Sequence, residues 1–170
     1  MSFLFYLLIH GTIFAVILTL YLLAVMWELS PRVWAMSDYP PEITDHVSPQ
    51  TAAEKRMAKL IYIPFLILGI GYPLTATYFL KILNGGVILL FDAFLTIFVI
   101  VLFGFLADYI ILDWLIVGTI TPDWVILPGT EHMREKEYKA FRSYHAKGHL
   151  RGLLLLVIIS LVLAVFVWLF

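Results

Sequence analysis

The chain has 170 residues, of which 62% are hydrophobic and 14% charged, whereas soluble domains average about 45–50% apolar and about 25% charged residues. This composition excludes an ordinary soluble domain, and the net charge of −1 gives no electrostatic reason to expect a nucleic-acid partner. The absence of cysteine excludes disulfides, thiol catalysis, iron–sulfur clusters and Cys-ligated zinc.

Four apolar runs are each long enough to cross a hydrocarbon core of about 30 Å. They predict an all-α polytopic membrane protein, a four-helix bundle that forms a single membrane domain over residues 1–170. The first span is expected to stay uncleaved, because it lacks a basic n-region and is longer than a signal-peptide core. The spans lie at 3–27, 60–80, 86–107 and 152–170, and the long loops at 28–51 and 118–150.

Basic residues are distributed unequally between the two ends of the predicted bundle. Ten of the eleven fall in or beside the two long loops, and Lys81 is the exception. Because cytoplasmic loops collect Lys and Arg, both long loops are predicted to be cytoplasmic and both termini to lie outside. We expect the two loops to form a cytoplasmic cap on the bundle.

Loop 1, through Ser48, contains three prolines and many polar residues, and it is predicted to be irregular and exposed. Thr51 and Glu54 fit a capping box, so the second helix should begin near Ala52. The glycines and the proline of the segment 69–73 predict a kink near the middle of this span.

The third helix is predicted to run without interruption to about Val117. The apolar segment 119–127, bounded by prolines, is interpreted as an extended stretch that lies on the bilayer or re-enters it, as a lid over a polar pocket. Thr130 is expected to cap an amphipathic helix over 131–147, which Gly148 would end.

The loop-3 region contains a distinctive set of residues: Asp113-Trp114-Leu115, Ile126-Leu127-Pro128-Gly129-Thr130-Glu131, Tyr138, Tyr144-His145 and Lys147-Gly148. With these residues it resembles an uncharacterised family of small four-helix prokaryotic integral membrane proteins. The similarity implies the same topology and a place in the prokaryotic cell membrane, and it implies no activity.

His10 and Asp92 lie about 10 Å inside the outer ends of spans 1 and 3, at 1.5 Å rise per residue. Ionisable groups at membrane depth are costly and usually face the interior of the bundle. The pair could serve as a proton relay or ligand site, or it could be a hydrogen-bonded pair that fixes helix register.

Glu28, Asp108 and Asp113 form an inner polar level and are the candidate catalytic or cation-binding groups. Asp108 and Asp113 are five residues apart, which is about 140° around an α-helix, so they are not expected to share one face. The alternative is that these acids form interfacial ion pairs that anchor helix ends. The candidate residues for binding an anionic headgroup are Arg56, Lys59, Arg142, Lys147 and Arg151.

His145 and His149 have the i, i+4 spacing that places two imidazoles on one helix face, a common metal-binding arrangement. His132 could add a third ligand. The alternative is a basic helix whose cations and aromatic residues bind lipid headgroups. The sequence indicates no particular cofactor.

Three functions are compatible with these patterns. A structural or accessory membrane protein is favoured, because no motif meets the geometric requirements of catalysis. The second is binding or processing of a lipid-like amphipathic substrate at the cytoplasmic interface, and the third is proton- or ion-coupled transport through an oligomer. The expected partners are membrane lipids and further copies of the chain.

Overall fold

The computed structural model describes residues 2–170. In that range the molecule is 82% helical and contains no strand, which confirms the predicted all-α fold. By length and composition of its helices the protein is a multi-pass membrane protein. The four helical rods that could cross a bilayer are Phe3–Glu28, Ala52–Leu83, Leu90–Ile120 and Glu131–Leu169.

Three of the four rods change helix type along their length. The α-helices are α1 Phe3–Glu28, α2 Pro31–Trp34, α3 Pro41–Thr44, α4 Ala52–Leu66, α5 Tyr72–Leu83, α6 Leu90–Ala107 and α7 Lys139–Leu169. Between them lie the π-helices Ile67–Gly71, Asp108–Ile120 and Arg134–Tyr138 and the 3₁₀ turns Asp123–Val125 and Glu131–Met133.

The start of α4 is the predicted capping box. The Glu54 backbone N–H donates to Thr51 Oγ1 at 3.2 Å, and the Thr51 N–H donates to Glu54 Oε2 at 2.6 Å. The other Glu54 oxygen accepts from Arg32 Nε at 2.6 Å. The Glu54 carboxylate therefore caps α4 and also binds Arg32 of loop 1 to this helix.

The segment for which a kink was predicted contains the π-helical turn Ile67–Gly71, two residues ahead of Pro73. Proline has no backbone N–H to donate, and a π-turn is one of the ways in which a helix accommodates such a defect.

α1 packs against α6 through two reciprocal contacts between an aromatic ring and a glycine. A Cβ added at Gly11 would lie 2.8 Å from Phe103, and one added at Gly104 would lie 2.9 Å from Cδ1 of Phe14. Small residues allow this close approach between membrane helices. These contacts hold α1 and the third rod as neighbours.

The two long loops pack together at one end of the bundle, as predicted, and tyrosine hydroxyls form hydrogen bonds between and within them. The Tyr39 hydroxyl donates to the Val125 carbonyl at 2.7 Å. The Tyr138 hydroxyl accepts from the Leu127 N–H at 2.8 Å and bonds the Thr130 hydroxyl at 2.7 Å. The rings of Tyr39 and Tyr138 meet edge to face, 5.5 Å apart. We call residues 29–51 and 121–138 the cap.

The expectation that loop 1 is irregular and exposed is wrong. It forms the short helices α2 and α3, and Ala35, Tyr39 and Ile43 are buried in the core of the cap. The prolines begin these helices, because a fixed φ suits the first turn and no N–H is needed there.

The segment 119–127 is not an extended stretch over a pocket. The π-helix continues to Ile120, Thr121 follows with a φ of 48°, and the residues after it turn into the cap. Val125, Ile126 and Leu127 are buried there. The apolar character of these three residues therefore reflects a protein core.

Gly148 does not end the loop-3 helix, contrary to expectation. α7 runs from Lys139 to Leu169, so the charged helix and the last span are one element. A glycine ends a helix when it adopts a left-handed conformation, and the glycines with positive φ in residues 2–170 are Gly85, Gly86 and Gly129.

The exceptional Lys81 lies at the end of the bundle opposite the cap. Its Nζ donates to the Val167 carbonyl at 2.9 Å, in the last turn of α7. A cation is stabilised at a helix C-terminus, where carbonyl groups lack partners within the helix. This contact gives Lys81 a local structural reason to stand apart from the other basic residues.

Candidate functional site

Asp108 and Asp113 face the same way, so the expectation that they cannot share a face is wrong. They lie in the π-helix Asp108–Ile120, in which the backbone bonds run from i to i+5 and residues five apart lie nearly above one another. Both carboxylates consequently approach Nε2 of His149, Asp108 Oδ2 at 3.6 Å and Asp113 Oδ2 at 3.7 Å.

His145 bridges the π-helix and the cap. Its Nδ1 lies 2.7 Å from Asp113 Oδ2, and its Nε2 lies 2.9 Å from the backbone carbonyl oxygen of Asp38. The ring stacks on the buried Phe141 with centroids 3.9 Å apart. Both ring nitrogens are thus directed at oxygen atoms, and the imidazole is held in one orientation.

His149 lies one helical turn beyond His145, on the same face of α7. Its ring is held between Phe105 and Tyr109, at centroid distances of 4.6 and 4.8 Å. Nε2 is buried and has no hydrogen-bond partner within residues 2–170. Buried polar atoms normally have a partner, so this nitrogen calls for an explanation.

Gly118 allows α7 to approach the π-helix closely enough for these contacts. A Cβ at this position would overlap Cγ of Arg142 and lie 3.1 Å from the carbonyl oxygen of Asp113. The Arg142 side chain therefore packs over the glycine, and this contact lies beside the approach of Asp113 to His145.

Asp38 adds a third carboxylate from loop 1. Asp38 is an exposed residue that lines the cavities beside the Asp–His cluster. Loss of hydrating water there raises the pKa of Asp38 to about 6; the carboxylates of Asp113 and Asp108 add to this effect and His145 opposes it.

Two cavities meet at this cluster. One, of about 240 Å³, lies between α1, α4 and the π-helix and has apolar walls that include Val25, Ile61 and Phe65. The other, of about 650 Å³, is lined mainly by polar and charged groups, including Lys147 and Arg151. The residues that line both cavities are Asp38, Asp108, Asp113 and His145.

The remaining candidates at this end of the bundle are divided. Lys147 and Arg151 line the polar cavity, whereas Arg142 bonds the Lys139 carbonyl at 3.4 Å and packs on Gly118. The structure does not bring the other four to the cluster. Glu28, Arg56, Lys59 and His132 are exposed and line neither cavity.

The structure does not pair His10 with Asp92. His10 Nδ1 bonds the Tyr72 hydroxyl at 3.1 Å, and its ring packs on Tyr6 at 4.2 Å. Among residues 2–170 no hydrogen bond or ion pair joins His10 to Asp92. Tyr72, on α5, is the hydrogen-bond partner of His10 in place of the predicted Asp92.

Sequence reasoning did not identify Asp38, Phe105, Tyr109 or Gly118 as parts of the site. Asp38 reaches it through the folding of loop 1, and no local motif marks it. A glycine directly after an apolar run is a signal of close helix approach, and Gly118 could have been found in this way.

Three comparisons with known proteins were made, against family models, curated proteins and solved structures, and none finds a match. A fold alone does not define a function, so the function of this chain must follow from the chemistry of the Asp–His cluster and its two cavities.

Proposed function

We propose that the protein binds an amphipathic, lipid-like molecule at the capped end of the bundle. The apolar part of the ligand occupies the cavity beside α1 and α4, and its headgroup occupies the polar cavity. The observation that carries this proposal is that Asp113 and His145 line both cavities, so that an apolar chamber and a charged one share a wall.

The packing of α4 favours entry from the bilayer. No residue of α4 is buried, and Tyr21 of α1 reaches across to donate a hydrogen bond to the Ile61 carbonyl at 2.6 Å. The apolar cavity lies in the space between these two helices. An acyl chain is the ligand group that such a space, at membrane depth, would favour.

The charges of the polar cavity favour a headgroup that contains phosphate. Lys147 and Arg151 line it as cations, and Arg in particular can bind phosphate in a bidentate manner. The carboxylates of Asp108 and Asp113 can accept hydrogen bonds from hydroxyl or amine groups of the same headgroup.

The proposed orientation places the cap in the cytoplasm and both termini outside. Its support is the position of the ten basic residues in and beside the two long loops, together with the general excess of Lys and Arg on the cytoplasmic side. The proposed location is the cell membrane of a prokaryote, which rests on the family resemblance of the loop-3 region.

The binding proposal is tested with a photoreactive phosphatidylglycerol that carries its reactive group at the end of a short acyl chain. We expect Val25→Trp, which fills the apolar cavity, to reduce labelling at least about tenfold, a loss of roughly 1.4 kcal/mol in binding. The matched control is Val16→Trp on the same helix, because Val16 is 52% exposed on the lipid-facing side. The labelled residues are identified by mass spectrometry.

The headgroup is tested by a second pair of variants. Lys147→Ala/Arg151→Ala should weaken labelling, whereas Arg56→Ala/Lys59→Ala removes the same number of cations outside the cavities and should leave it unchanged. A photoreactive diacylglycerol, which lacks phosphate, should label the wild type and all variants poorly. Equal labelling of all four variants and the wild type would overturn the proposal in favour of the structural or accessory role.

A further inference from the structure

We propose that Asp113, His145 and His149 form a binding site for a divalent transition metal of the zinc class. The site lies where α7 passes the π-helix Asp108–Ile120, in the wall between the two cavities. One carboxylate oxygen and two imidazole nitrogens, all within 4.8 Å of one another, supply the ligands. The inference goes beyond the proposed binding of an amphipathic molecule and can hold or fail independently of it.

The hydrogen bonds of His145 require a cation or an additional proton. A neutral imidazole carries a single N–H. Nε2 lies 2.9 Å from the Asp38 carbonyl oxygen, which can only accept, so Nε2 is the protonated nitrogen. Nδ1 then directs a lone pair at Asp113 Oδ2, 2.7 Å away, and two electron-rich atoms do not stay at this distance without a positive group between them.

An additional proton on His145 would leave His149 unexplained. Nε2 of His149 is buried without a partner, and it lies 3.7 Å from the same Oδ2 of Asp113. This distance is too long for a hydrogen bond. A single metal ion bound by Asp113, His145 and His149 satisfies both imidazoles and the carboxylate together.

The distances fit such an ion after a small adjustment. Zinc–nitrogen and zinc–oxygen bonds of about 2.0–2.2 Å place tetrahedral ligand atoms about 3.3 Å apart. The two distances from Asp113 Oδ2 are 2.7 and 3.7 Å, one shorter and one longer than that value. Binding of the ion therefore requires Asp113 Oδ2 to move away from His145 and toward His149.

The surroundings of the cluster have the features of an outer ligand shell. Metal-bound histidines usually donate their second N–H to a carboxylate or a backbone carbonyl, and His145 has the Asp38 carbonyl in this place. The rings of Phe105 and Tyr109 fix His149. Asp108 Oδ2, 3.6 Å from His149 Nε2, can complete the ligand set or bond a metal-bound water.

The ligand types select the class of metal. Calcium and magnesium prefer all-oxygen sites, whereas two imidazoles and a carboxylate suit zinc and its neighbours in the transition series. Three protein ligands leave a fourth position, open to the polar cavity in which we place the headgroup. A phosphate oxygen is a suitable occupant of that position.

The test is a titration of purified protein with Zn²⁺ in lipid-free detergent, in competition with a fluorescent chelator. The protein is stripped of metal beforehand and carries a purification tag without histidine. We expect one Zn²⁺ per wild-type chain, and a visible Co²⁺ spectrum of tetrahedral intensity. His145→Ala/His149→Ala should weaken binding by at least about tenfold, since loss of outer-shell partners alone costs about 10–100-fold.

The matched control is His46→Ala/His132→Ala, which removes two exposed histidines of the cap and should bind Zn²⁺ like the wild type. Asp113→Asn, nearly identical in shape, serves if the double alanine variant does not fold. Equal affinity of the two double variants, or an octahedral Co²⁺ spectrum of the wild type, would overturn the metal site. Labelling by the phosphatidylglycerol probe is measured separately on metal-free protein, so failure of one proposal is distinguishable from failure of the other.

Discussion

The carboxyl group of Asp38 lies where the two cavities meet, and its ionisation opposes folding. Loss of water raises its pKa from the ordinary 3.8 to about 6. The folded protein therefore holds this proton more tightly than the unfolded chain does. The stabilisation of the folded state by the protonated Asp38 carboxyl group is complete below pH 3.8 and is lost as the pH rises through about 6.

Asp38→Asn removes this pH dependence and retains the backbone carbonyl that contacts His145. We expect the variant to unfold at a higher temperature than the wild type at pH 7, and at nearly the same temperature below pH 3.8. Thermal unfolding in detergent, followed by circular dichroism across this pH range, measures the difference. Asp45→Asn, an exposed position in the same loop, is the control; an equal effect there would contradict the assignment.

At the scale of elements, the π-helix Asp108–Ile120 decides which residues meet. An α-helix over the same residues would turn Asp108 and Asp113 apart by about 140°, whereas the π-helix directs both at His149. π-helical segments are rare and occur often at functional sites. The continuation of α7 through Gly148 is the second requirement, since it places His149 on the face of His145.

Two glycine substitutions test the contact between these elements with opposite expected signs. Gly118→Ala introduces a Cβ that overlaps Cγ of Arg142 and lies 3.1 Å from the Asp113 carbonyl oxygen, and such overpacking costs about 1–3 kcal/mol. Gly148→Ala meets no atom within 4 Å, and replacing a mid-helix glycine by alanine stabilises by about 1 kcal/mol. Reversible unfolding of both variants in mixed detergent micelles provides the free energies.

If Gly118→Ala is as stable as Gly148→Ala, the close approach of α7 to the π-helix is not required for stability. A Gly118→Ala variant that is destabilised should also weaken Zn²⁺ binding, because the same contact lies beside Asp113 and His145.

At the scale of the whole molecule, the two ends of the bundle are chemically different. The cap end carries the packed loops, the Asp–His cluster and the aromatic contacts of the cap. The opposite end has the tight turn after α5 and the contact of Lys81 with the last turn of α7.

The absence of cysteine from the chain makes the orientation directly measurable. We expect a membrane-impermeant maleimide to label Asn84→Cys in intact cells, and to label Lys55→Cys and His132→Cys only after permeabilisation. The cysteine-free wild type is the background control. The reverse pattern would place the cap outside the cell and would contradict the orientation proposed from the basic residues.

Local patterns were sufficient for the spans and for several of their details. A bilayer imposes a length and an apolar composition on any helix that crosses it, so the four spans could be recognised without knowledge of their neighbours. The capping box of Thr51 and Glu54 depends on residues three apart and was equally predictable. The family resemblance and the functional hypotheses stay predictions.

The site itself depends on contacts that no local pattern contains. The Asp38 carbonyl meets a histidine 107 residues later in the chain, and Asp113 meets the same ring across 32 residues. The backbone is π-helical over Asp108–Ile120 and α7 is continuous at Gly148, where the local signals favoured an α-helix and a helix end. Side-chain periodicity follows the backbone register, so the face on which Asp108, Asp113 and His149 meet could be known only from the packed structure.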